Sequence, residues 1–109
     1  MNRIIALTLM IIAGTAASAS EIKGAGAGSC GEWVEDRKNN NWHSQLHWVQ
    51  GYISAYNVYV YHGKHPNGVF GNADHKALAV WLDNYCGNNP LSSPSSGMPE
   101  LISELNRRQ

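Results

Sequence analysis

Two cysteines, Cys30 and Cys86, are the only thiols in this chain of 109 residues, and their fate bounds what the chain can fold into. Joined to each other they close a loop of about 57 residues, worth roughly 4 kcal/mol in the chain-entropy model, comparable with the whole stability of a small domain. The spacing is not the C-x-x-C of a redox pair, and a zinc site would want more thiolates. The pair therefore reads as a structural staple.

A staple needs an oxidising compartment, and the N-terminus supplies a route to one. Met1, Asn2 and Arg3 are followed by an apolar run from Ile4 to about Ala13, the length of a secretory signal core, too short to span a bilayer. Ala17, Ser18 and Ala19 form the A-x-A pattern that signal peptidase reads. The expectation is a signal peptide over 1–19, cleaved after Ala19, and a soluble periplasmic product. No cysteine stands near the cut to accept a lipid, so no membrane anchor is expected. About 90 residues then remain, enough for one domain, and a domain of that size is marginal unless stapled.

Eight Lys and Arg, one of them Arg3 in the signal, face eight Asp and Glu, without a long block of either sign. Such a balance gives no electrostatic footprint for nucleic acid and no polybasic membrane signal, so a partner must be recognised by shape. Residues 20–29 are mostly Gly and Ala and read as a flexible leader, which places the folded domain at 30–109.

Helical spacing dominates that domain. Cys30, Trp33, Val34 and Arg37 mark a short first helix over 31–38, stopped by Asn39, Asn40 and Asn41. Leu46, Val49, Tyr52, Ile53, Tyr56 and Val60 form the stripe of a central helix over 44–61, on which Gly51 and Ala55 would let another helix approach closely. Residues 62–72, with three glycines, a proline and two histidines, read as a long loop. Asn72 is placed to cap a third helix carrying Leu78, Trp81, Leu82 and Tyr85, ending at Cys86 and Gly87. After an irregular stretch over 88–97, Ser96 precedes a last helix with Met98, Leu101, Ile102 and Leu105. The fold class expected is all-α, a small four- to five-helix domain stapled by one disulfide.

Catalytic chemistry is not legible. His43 and His47 are four apart, as two metal ligands on a helix would be, but H-E-x-x-H is absent and no further ligands are evident. His62, His65 and His75 flank the loop as exposed side chains. No nucleophile is paired with a base, and Glu32, Glu35, Asp74 and Asp83 fall at ordinary helix-surface positions. The expectation is a non-enzyme without metal or cofactor. Trp33 and Trp81 fit core stripes, whereas Trp42 and Trp48 lie off them as candidates for an exposed aromatic anchor.

Three segments together resemble the Rap/Tai family of type VI secretion amidase immunity proteins: Ser29-Cys30-Gly31-Glu32-Trp33, Trp48-Val49-Gln50-Gly51-Tyr52-Ile53-Ser54-Ala55-Tyr56-Asn57, and Trp81-Leu82-Asp83-Asn84-Tyr85-Cys86 with Asn89-Pro90-Leu91. The resemblance spans nearly the whole exported chain. It implies a small helical periplasmic protein that binds a peptidoglycan amidase effector and blocks its active site, with Cys30 and Cys86 as the family's cysteines. The same frame is similar to acid-stress periplasmic chaperones in joining a compact helical fold to one disulfide. The expected partner surface is the 62–72 loop, through Lys64, His65, Asn67 and Phe70, supplemented by Trp42, with these residues outside the core stripes. A chaperone-like stress protein and a helical envelope protein of unknown partner are the alternatives, and pairing of two copies as a homodimer is left open.

Overall fold

A computed structural model describes residues 21–109. The expected signal peptide over 1–19 and residue 20 lie outside the described residues. The described part is all-α: helices α1 (Cys30–Lys38), α2 (His43–Tyr59), α3 (His75–Asn88) and α4 (Pro94–Arg107), with 3₁₀ turns at Ala25–Ala27 and Gly68–Phe70 and no strand. Cys30 and Cys86 form the expected disulfide, with Cα atoms 4.9 Å apart.

Local signals fix the helix ends. At the start of α1, Ser29 Oγ accepts from the Glu32 backbone N–H while Glu32 returns its carboxylate to the Ser29 N–H, so two otherwise unpaired donors are satisfied reciprocally. Asp74, rather than Asn72, caps α3 by accepting from the Ala77 N–H at 2.8 Å. α4 begins earlier than expected. Ser93 accepts from the Ser96 N–H and Pro94 takes the first turn, where its missing N–H costs nothing. Gly97 sits inside this helix because a Cβ there would stand 2.9 Å from the Tyr85 ring. Two apparent breakers, Gly97 and Pro99, thus lie within α4.

The core joins Trp33, Leu46, Val49, Ile53, Leu78, Leu82, Met98 and Leu101, all 2% exposed or less. Each such aliphatic side chain contributes about 1.5–3 kcal/mol by leaving water. α1 packs on α3, while α4 lies against α2, α3 and both 3₁₀ turns. Asp83 is no ordinary surface residue: its Oδ1 accepts from Trp33 Nε1 and Arg37 Nε, each at 2.9 Å, and its Oδ2 from Arg37 Nη2 at 2.7 Å. That carboxylate holds the Arg37 guanidinium further above its usual value by hydrogen bonding, against a partial desolvation.

Two expectations need correction. The 20–29 segment is not a loose leader over its second half, because Gly24 and Gly26 lie flat on the Trp48 indole and Trp48 Nε1 donates to the Lys23 carbonyl at 2.8 Å. Trp48 is therefore spent inside the molecule rather than offered as an anchor. Gly51, expected to admit a neighbouring helix, faces open space instead, and Val60 at the end of the stripe is half exposed.

Opposite effects of two Gly→Ala changes follow. Gly26→Ala forces a methyl into the Trp48 ring and should cost about 1–3 kcal/mol, whereas Gly51→Ala should gain about 0.5–1 kcal/mol of helix propensity. Urea unfolding of both variants checks this, and a neutral Gly26→Ala would show that the N-terminal segment is not docked.

Candidate functional site

The 62–72 loop is short of regular structure but not of hydrogen bonds. Its centre, Val69, is fully buried, and the Val69 N–H donates to Asn57 Oδ1 on α2 at 2.8 Å. Gln109 Nε2 donates to the carbonyls of Gly68 and Val69 at 3.0 and 2.9 Å, and Gln109 Oε1 accepts from the Tyr61 hydroxyl at 2.6 Å. That hydroxyl in turn accepts from the His65 N–H. The loop is pinned from α2 on one side and from Gln109, just beyond α4, on the other.

The predicted partner residues occupy this loop unequally. Lys64 and Asn67 are exposed. His65 is half-buried, its Nδ1 accepting from the Asn67 N–H at 3.0 Å, and Asn67 Nδ2 donates to the Gly71 carbonyl. Phe70 departs from expectation, since its ring packs against the core rather than standing outside it. Trp42 lies on the far side of the chain's order, half-buried, stacked on His43 at 4.3 Å and covered by the Arg37 guanidinium 4.7 Å from its ring centre. It belongs with Trp33 and Arg37 in the Asp83 cluster.

Beside the loop lies a groove of about 700 Å³ between α3 and α4 that the periodicity did not reveal. Phe70, Leu78, Trp81, Leu101 and Leu105 line it, and Trp81, expected in the core, is half-buried and stacked on Tyr85 with ring centres 5.3 Å apart. Lys76, Glu104 and Arg108 stand around it. Glu104 is held below the usual carboxylate range by hydrogen bonds from Arg107 and Arg108. Its modest contribution is therefore present at neutral pH and lost as pH falls through that lowered value. The one trace of it in the sequence is the spacing of Ala77, Val80, Trp81 and Asn84, a second row on α3 beside the one that reads as core.

Among the described residues no group of three or more His, Cys, Asp and Glu side chains is placed to hold a metal, and no helix is long and apolar enough to cross a membrane. No protein-family model, curated protein or solved structure matches the chain.

The loop's side chains should separate by role. Phe70→Ala should destabilise the fold by about 2–4 kcal/mol through lost packing, and Lys64→Ala by no more than about 0.5 kcal/mol. Thermal unfolding compares them, and equal effects would contradict the placement of Phe70 against the core.

Proposed function

We propose that the chain is a periplasmic immunity protein that binds a type VI peptidoglycan amidase effector and obstructs its catalytic cleft. The observation that carries this reading is the braced 62–72 loop: polar, exposed tips at Lys64 and Asn67 are mounted on a backbone tied to Asn57 and Gln109. A segment already ordered before contact loses little entropy on binding, which is the property that distinguishes a tight inhibitor from a floppy surface loop. Standard inhibitory interfaces bury about 800 Å² per partner, an area within reach of the loop with the adjoining groove. The family resemblance supplies the amidase, and the exported, disulfide-stapled chain suits the compartment where such an effector acts.

The function assigned is inhibition by occupancy, so it needs no catalytic group, metal or cofactor of its own. Capture of type VI amidases from a lysate by the immobilised protein is the expected result, with loss of peptidoglycan hydrolysis in the complex. Joint replacement of Lys64, His65 and Asn67 by alanine should weaken capture by about 2 kcal/mol or more while leaving helical dichroism intact. Absence of any hydrolase at micromolar protein, together with suppression of client aggregation in acid, would replace this reading with the chaperone one.

A further inference from the structure

The groove between α3 and α4 has a charge pattern that the fold itself leaves uncompensated. Lys76 stands in the first turn of α3, where a cation opposes the helix dipole, and among the described residues it joins none of the ion pairs. Across the opening, Glu104 pairs with Arg108 at the groove and with Arg107 beyond its lining, so Lys76 is the groove's cation without an ion pair among the described residues. Between these rims the surface is apolar: Phe70 and Trp81 form walls, and Val80 at the lip is left 53% exposed.

We propose that this groove receives a short peptide segment of a partner protein, which sets an aromatic or branched aliphatic side chain between Phe70 and Trp81 and a carboxylate on Lys76. The rim favours a peptide over a fatty chain. The side-chain amides of Asn72 and Asn84 border the groove and take up no hydrogen bond among the described residues, and each offers both a donor and an acceptor to a peptide backbone. A hydrocarbon would leave them unpaired, at a cost. The proposal rests on the reading of the chain as a protein-binding module, but not on an amidase being the partner.

The test uses the isotopically labelled protein and a capped hexapeptide carrying Leu and Phe beside Glu, with a second peptide in which Lys replaces the Glu. Amide and indole shifts should gather on α3 and α4 around Trp81, and the lysine peptide should bind about fivefold or more weakly. Lys76→Glu, an exposed change, should reverse that preference. Equal affinity for both peptides, unchanged preference in Lys76→Glu, shifts elsewhere on the surface, or groove shifts with decanoate but not with peptide would each overturn the proposal. Capture of an amidase without peptide binding removes the groove site and leaves the immunity reading standing; peptide binding without amidase capture does the reverse.

Discussion

The attachment of α1 to α3 is the constraint on which the remaining structure depends. α1 has nine residues, fewer than an isolated helix needs to persist in water. Only two of its side chains, Cys30 and Trp33, are buried. Three covalent and polar ties compensate: the disulfide to Cys86, the Ser29–Glu32 capping box and the Asp83 carboxylate that takes both Trp33 and Arg37. The backbone joins in where the Cys30 N–H donates to the Ser92 carbonyl, tying the start of α1 to the turn before α4. Without the staple the first helix has little to recommend it over coil, and Trp33 would lose its place in the core.

The same economy recurs in the irregular segments. A domain of this size cannot cover long loops with hydrophobic surface, and single polar side chains hold them instead. Trp48 fastens the 23–28 segment through one hydrogen bond and two glycine contacts, and Asn57 and Gln109 hold the 62–72 loop through its backbone. In each case the holding role cannot be told from the residue's type. Its partner is a carbonyl or N–H that would otherwise be left without a bond as the chain packs down.

The reach of the sequence follows from that division of labour. Helical stripes are periodic, so α2 and α3 are readable to within a few residues, and the cysteine pair is readable because the chain has two cysteines and no more. The start of α4 was not, because Gly97 and Pro99 look like stop signals until Tyr85 is seen to lie against Gly97 and Ser93 to provide the cap. The docking of the glycine-rich leader was hidden for a related reason. Gly24 and Gly26 read as flexibility, but their lack of a side chain is what lets the backbone reach the Trp48 ring. Phe70 and Asp83 read as exterior in the sequence because each is placed by contacts with elements distant along the chain, Asp83 with α1 and Phe70 with the core beneath its loop.

The loop and the groove differ in how they would meet a partner, and the difference comes from their bonding. From His65 to Gly71 the loop's backbone is held by hydrogen bonds within the chain, so what it presents there is a fixed shape with the Asn67 side chain exposed and Lys64 standing just before it. The groove is the converse, with Lys76, Asn72 and Asn84 left unengaged around an apolar trough. A preorganised protrusion limits the entropy lost on contact, whereas unpaired polar groups beside buried apolar area discriminate between partners, since a wrong one leaves them dry and unmatched. Phe70 borders both, packed against the core and lining the groove, so the two surfaces are contiguous. Any partner large enough to cover the loop therefore meets the groove as well, and its affinity and its selectivity would draw on adjacent but separately mutable surfaces.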